Sequence, residues 1–425
     1  MTIEQIQYAG QVLIDEITLI SSDGNKKLDL TLIFREIDLF EDLYSPCMYG
    51  SINLNENFNL ISNFPILGEE ILLIKFHTPT ITTAIEKKFV VTAIKDKKIL
   101  TTHTQGYIMH FISYESYIDL NLKVFRAYSG TPSESATQIF KSYFPNTPVF
   151  IEQSSNALKL LGNSLSPFKF LNMLASKAID TSSYGSPSFL FFEDNQSFNF
   201  VSLNTLFKQN PITSLRWSAS QMRDTLSDGT TLRNVQEEYQ NIKTLYFDTV
   251  FNTVDKFLSG SMGHKVYEID MIRKTVAKRT YNYIDNFGNI NHLNPYPTNS
   301  QYMIHSNDAF IESCAIHPAA HDNYNQDRDA ILLSKRPAIL SQNEYIKFDA
   351  VVHGRTDIRV GQVIEFQMGT FDTTDPSKLL TQSRVDAHYS GNYMIGAIQH
   401  RITLNRHESI LQLFKESFNN QIVFK

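Results

Sequence analysis

His317 and His321 in "HPAAH" have the i, i+4 spacing that sets two imidazoles on one face of a helix, the arrangement of a zinc pair. A zinc peptidase also needs a glutamate beside the first histidine as general base, and here the intervening residues are Pro-Ala-Ala. Pro318 further suits a helix interior poorly. Acids come in pairs at Glu41-Asp42, Glu69-Glu70 and Glu237-Glu238. A glycosidase needs two carboxylates facing each other across a cleft, about 5 to 10 Å apart. Neighbours on a strand point to opposite faces, so these pairs read as solvated rims. Gly260 and Gly263 in "SGSMGHK" hint at a phosphate loop, but no Gly-Lys-Ser/Thr follows. There is no Gly-x-Ser-x-Gly elbow, and neither Cys47 nor Cys314 stands in a nucleophile's setting. No catalytic residue, metal or cofactor is expected, and the chain reads as a non-enzyme.

The bulk properties agree. The 425 residues are 42% hydrophobic and 19% charged, a globular composition with length for two to four domains. Thirty Phe and 20 Tyr tilt the expectation toward half-buried pleated surfaces. The formal net charge is −6 with no long Lys/Arg run, so a grip on phosphate backbones is not expected. No apolar run approaches the roughly 20 residues of a membrane helix. "MTIEQIQYAG" lacks the basic and apolar regions of a secretory signal, and two cysteines far apart read as reduced thiols.

The elements that would position any site begin as strands. "QVLIDEITLISSDGNKKLDLTLIFREIDLFED" holds two apolar runs around Asp23-Gly24, a hairpin signal. "YSPCMYGSINL" alternates with period two, and 71–76, 89–94 and 107–112 supply further strands. Such a block predicts an antiparallel barrel or sandwich. In "NFPILGEEILLIKF", Gly68, Glu69 and Glu70 precede a strand apolar on almost every residue. That combination fits a barrel rim leading into a wall covered on both faces.

Two helix starts follow. Thr131, Pro132 and Glu134 form a capping box, with Pro145 as the stop, and Ser166-Pro167 opens a second helix. "SFLFFEDNQSFNFV" reads as a hairpin, making the middle a mixed α+β domain. From 218 to about 254 the text is strand-like, "NVQEEYQNIKTLYFDTV" included. The stretch from 262 to about 335 is polar and irregular, with an Asn/Pro-rich segment at 285–299 and a short helix "NQDRDAILLSKR" ended by Pro337. Strands return in "YIKFDAVVHG", "GQVIEFQMG", "YMIGAIQHRITL" and "SILQLFK".

The two β blocks share a pattern. "YGSINL" then "LGEEILLIKF" compares with "KFDAVVHG" then "RVGQVIEF", which suggests an internal duplication. The reading is a mainly β chain with α+β parts. A first tube-like antiparallel β-barrel spans 1–118 and an α+β domain 119–215. The second barrel comprises 216–255 and 340–425, interrupted by an insertion at 256–339. Gly68, Glu69, Glu70, Gly361 and Gln362 are the candidate rim or interface residues.

"LYSPCMYGSINL", "FPILGEEILLIKF", "LSPFKFLNMLASKA", "SFLFFEDNQSFNFVSL", "GHKVYEID", "VHGRTDIRVGQVIEF" and "SGNYMIGAIQHRIT...ESILQLFKES", in that order, resemble the central baseplate hub protein of contractile-tailed phages. The resemblance implies a structural role in a virion tail baseplate assembled in the host cytoplasm. It implies a homotrimer with two barrels per subunit, a pseudo-sixfold ring joining the sixfold tail tube to a threefold central spike. Tube, spike and other baseplate proteins would be partners, with DNA only as cargo and no stable membrane association. The family assigns no role to the 285–299 segment. A rival within the class is the hub of a phage-like contractile injection system or type VI secretion spike. Such relatives often carry the spike on the same chain, and the text here ends soon after "LQLFKESFNNQIVFK", so a separate spike is expected. A rival of another class is a tail-associated cell-wall hydrolase.

Overall fold

The computed structural model describes residues 6–217, 235–298, 311–317, 328–343, 345–369 and 385–421. Among them the protein is mainly β, and its dominant element is a 13-stranded sheet built almost wholly from antiparallel pairs. That sheet is two modules with one wiring diagram. In the first, the strands in chain order are Leu13–Ile20, Phe34–Asp42, Tyr49–Glu56, Ile71–His77, Ala84–Thr101 and Thr104–Ser113. In the second they are Ser214–Trp217, Thr244–Thr249, Ile346–His353, Val363–Met368, Gly391–Ile402 and His407–Lys415. Across the sheet both sets run first, fourth, fifth, sixth, third, second. The first strand pairs antiparallel in one module and parallel in the other. A short extra strand, Lys27–Asp29, edges the first.

The likeness reaches single residues. The fifth and sixth strands slip register between Val91 and Ala93 in the first module, and between Ile395 and Ala397 in the second. The Val91 amide donates to the Glu70 carbonyl at 2.9 Å, and the Ile395 amide to the Gln362 carbonyl at 3.0 Å. Ladder pairs then align Tyr49 with Lys347 and Leu54 with Val352, the alignment the sequence text suggests. They align Gly361 with Glu69 rather than with Gly68, one residue from the match of the glycines.

Each module has its own core. Period-two alternation buries Leu72, Ile74 and Phe76 of one strand with Leu39, Ile52, Phe89 and Phe111 in the first. Phe348, Ile364, Phe366, Tyr393 and Leu413 do so in the second. Ile71, Leu73 and Lys75, on the other face of the 71–77 strand, are half-buried. The described ladders join both modules into one branched sheet, because Gly391–Ile402 of the second pairs with Phe34–Asp42 of the first as well as with two strands of its own module.

The mixed segment follows its sequence signals. Thr131 accepts from the Glu134 amide, and Glu134 accepts from the Thr131 amide, starting the Pro132–Tyr143 helix. Ser166 caps Pro167–Lys177. Both pack on the sheet of Phe189–Glu193, Phe198–Ser202 and Val149–Ile151, with Phe140, Phe144, Phe168, Phe191 and Phe198 in mutual ring contact.

Three expectations need correction. Val235–Gln240 is helical, not strand-like, and Glu237 and Glu238 in its first turn complement the helix dipole. The 256–339 stretch is more regular than its composition suggests: Gly263–Asp270 pairs with Thr275–Asn282 and Ile311–Ile316. Pro337 does not end its helix, which runs Arg328–Gln342. Burial of Ala338 and Ile339 outweighs the backbone bond that proline removes. Among the described residues no helix is long and apolar enough to cross a membrane.

Candidate assembly seam between the two modules

The Phe34–Asp42 strand turns Ile37, Leu39 and Glu41 inward and Glu36, Asp38 and Phe40 outward. The edge away from Tyr49–Glu56 pairs with residues 397–402, with Ile37 opposite Ile402, Leu39 opposite His400 and Glu41 opposite Ile398. Ile402 thereby enters the first module's core, although it belongs to the second.

Among these apolar positions the inward face carries a polar chain. His400 Nε2 lies 3.0 Å from Glu41 Oε1, and neither side chain is exposed. His400 Nδ1 lies 3.0 Å from His407 Nε2. A carboxylate can only accept, so His400 donates from Nε2, and its Nδ1 shares a hydrogen bond with His407 Nε2. The Ser409 hydroxyl lies 3.4 Å from both rings, and the Val360 amide reaches Glu41 Oε2 at 3.4 Å. His407 Nδ1 has no partner. Burial pushes the His407 ring well below the ordinary imidazole range, and the adjacent His400 adds to this. The chain sets an imidazole against an enclosed carboxylate, an arrangement that fixes register without exchange with water. On the outward face Arg401 Nε is 3.2 Å from Glu36 and 3.3 Å from Asp38, and Gln399 donates to Asp38 at 2.8 Å. These half-exposed pairs add direction more than energy.

The α+β segment is pinned beside this seam. Glu193 is fully buried, accepts from the Met48 amide at 2.9 Å and pairs with Lys87 at 3.1 Å. Leu190, Phe192, Leu206 and Phe207 join the second module's core.

The five residues singled out from sequence are split. Gly68 has φ of +86° and Glu69 is exposed at the turn. Glu70 is buried instead of solvated: its carboxylate accepts from the Leu67 amide at 2.7 Å and the Gly68 amide at 3.0 Å. Turn amides replace water, so the second acid of the pair belongs to the fold. Gly361 is likewise not on an open rim. A Cβ there would meet Phe192 at 3.3 Å and Leu43 at 3.6 Å, because the α+β segment covers the turn. Gln362 accepts from the Arg359 amide at 2.9 Å.

The remaining candidates are local structure. Gly260, with φ of +72°, lets the His264 ring approach closer than any Cβ would allow, a packing reason for the glycine. His321 lies outside the described residues, and no group of three potential metal ligands occurs among those described. Cys47 and Cys314 are free. The Asn/Pro-rich segment is a clasp: His292 and the Leu293 amide hold Glu416 at 2.8 Å each, and Asn294 donates to the Ser417 and Asn392 carbonyls. Sequence reasoning missed Glu41, His400 and His407 as a unit. The available signal was a histidine at period two between Ile398 and Ile402 in an otherwise apolar strand face.

No family model matches the chain, and no curated protein matches it in sequence. Solved structures do share its fold. The tail protein from Neisseria meningitidis MC58 superimposes with a TM-score of 0.53 at 9% identity, covering 94% of this chain and 96% of its own. The 43 kDa tail protein of prophage MuSo2 from Shewanella oneidensis gives 0.55 at 9%, covering 94% and 98%. Prophage tail protein gp18 from Listeria monocytogenes EGD-e gives 0.50 at 12%, covering 95% and 96%. The fold is therefore that of phage tail proteins along nearly the whole chain.

Proposed function

We propose that this chain is the structural hub of a phage tail baseplate. Three copies form a ring of six equivalent modules, which joins a sixfold tail tube to a threefold central spike and lets DNA through. The observation that carries this reading is the common strand order of the two modules, down to the matching register slips. Three chains can match a hexamer only if each presents two equivalent units. The fold shared with phage tail proteins supports it.

Within this reading the exposed Glu69 at the Gly68 turn is a contact toward a neighbouring ring, and Glu70 holds the turn that presents it. Three copies at −6 each carry −18, a sign that repels DNA from the ring rather than trapping it.

Native mass measurement tests the proposal, on the protein alone and with tube and spike proteins from the same tail. A trimer that binds both is the expected outcome. A chain that stays monomeric with both partners overturns it. Clearing of a peptidoglycan suspension by the purified protein would instead identify a cell-wall hydrolase.

A further inference from the structure

We propose that the outer face and end turn of the small sheet built on Gly263–Asp270 form a peripheral docking site for an anionic lipid bilayer. The contact is reversible, uses no spanning segment and does not depend on the ring proposed above.

One face of this sheet is covered. Tyr281, opposite His264 in the ladder, packs with Ala338 of the Arg328–Gln342 helix, and His264, Val266 and Glu268 are buried on that side. The other face is graded along its length. The turn at its end carries Met271 and Ile272, 62% and 66% exposed. The first outward rung behind the turn is Val276, Ile269 and Ile316, all exposed. The next is Lys278, Tyr267 and Cys314, with the Lys278 ammonium 6.0 Å from the Tyr267 ring centre. At about 3.3 Å per residue, the apolar rung lies roughly 7 Å from Met271 and the Tyr267 rung roughly 13 Å. Interfacial elements sink about 5–10 Å into the boundary between headgroups and acyl chains. The apolar rung then reaches that boundary, and Tyr267 and Lys278 stand among the headgroups, where aromatic and cationic side chains concentrate.

The charge is of the matching sign. Residues 263–282 hold five cations and two acids, in a chain of net charge −6. Both acids are engaged internally. Glu268 is buried beside Arg279 at 3.0 Å, and Asp270 accepts from the Ile272 and Arg273 amides at 2.9 Å each. Lys274 has φ of +57°, a conformation that glycine or asparagine holds at less cost, and so brings an ammonium to the apex. Long stems let Arg273 and Lys274 lay their heads against lipid phosphates while Met271 and Ile272 enter. Duplex DNA would take the cations but leave the apolar side chains in water. A protein would need a pocket matched to this convex apex, whereas lipid deforms around it.

Flotation of the full chain with vesicles tests the site, comparing phosphatidylcholine alone with an equal mixture of phosphatidylcholine and phosphatidylglycerol. The chain should float with the anionic vesicles only, and raised salt should release it. Lys274→Ala with Lys278→Ala should weaken binding roughly 30-fold, about fivefold for each cation near an anionic surface. Met271→Asp with Ile272→Asp should abolish it at an unchanged thermal midpoint, because both side chains are already in water. Ile272→Trp should gain a blue-shifted emission on anionic vesicles. The native chain, whose Trp217 packs against the second module's core, should show none. A native chain that floats with neither vesicle, or one that floats equally well with both aspartates present, overturns the site. So does capture of another tail protein through Met271 and Ile272 without any binding to vesicles, which would make this face a protein joint.

Discussion

His400 Nε2 and Glu41 Oε1 lie 3.0 Å apart across the seam between the modules, 359 residues apart in sequence and both without solvent exposure. A buried hydrogen-bonded pair of this kind does little for net stability compared with well-packed apolar residues, but it is costly to break from one side. The pair makes one register of two strands better than its neighbours, since a one-residue slip would turn both groups to the opposite face.

Glu41→Ala should leave the His400 donor buried without an acceptor and destabilise the fold by about 1–3 kcal/mol. Glu41→Gln keeps an acceptor oxygen and should lose clearly less. Urea midpoints at unchanged slope measure both. Equal midpoints for the alanine and native proteins would show that the bond does not contribute.

Stability should fall as pH drops below about 6.5, the ordinary imidazole value. In the folded chain His407 is held well below that range by burial and by His400, so it stays neutral while the unfolded chain takes up a proton. The unfolded state then binds more protons, and acid favours it. His353, pushed down to about 4 by burial and by Lys243, acts with the same sign between about 6.5 and 4. Thermal midpoints from pH 8 to 5 should decline, and less steeply in His407→Gln; parallel curves would count against the assignment.

Lys415 gives a second pH dependence at the alkaline end. Its ammonium donates to the carbonyls of His388 at 2.6 Å and Tyr389 at 3.2 Å, and burial pushes it down to about 7. The unfolded lysine keeps its proton up to about pH 10.4, so between these values the unfolded chain binds more protons and stability rises with pH. Lys415→Met should abolish the rise between pH 7 and 10. A rise that survives the substitution must come from another group.

Gly354 faces the His407 ring so closely that a Cβ would overlap it. Gly354→Ala should cost about 1–3 kcal/mol or more by displacing the ring from His400. Gly288→Ala, at a position with nothing near a Cβ, serves as the neutral control. Calorimetric midpoints that do not separate the two would refute the close packing.

Much of this architecture was legible locally. Alternation in "YGSINL" and "KFDAVVH" encodes which side chains face a core, and the structure aligns these stretches residue for residue. Thr131 with Glu134, and Ser166, start helices through bonds that span only three residues, so spacing alone reveals them. Helical Val235–Gln240 and the uninterrupted helix through Pro337 were not legible, because burial against distant segments outweighed local preference.

The sequence by itself determined the strand pattern, the helix starts and the repetition of one module in two places, all of which rest on interactions between near neighbours in the chain. Only the tertiary structure decided that Glu70 and Glu41 are buried while Glu69 is exposed, that Gly361 aligns with Glu69, and that His400 meets Glu41. Alternation specifies a face, but not which strand lies across from it. That choice depends on contacts between residues hundreds of positions apart, where no local period reaches.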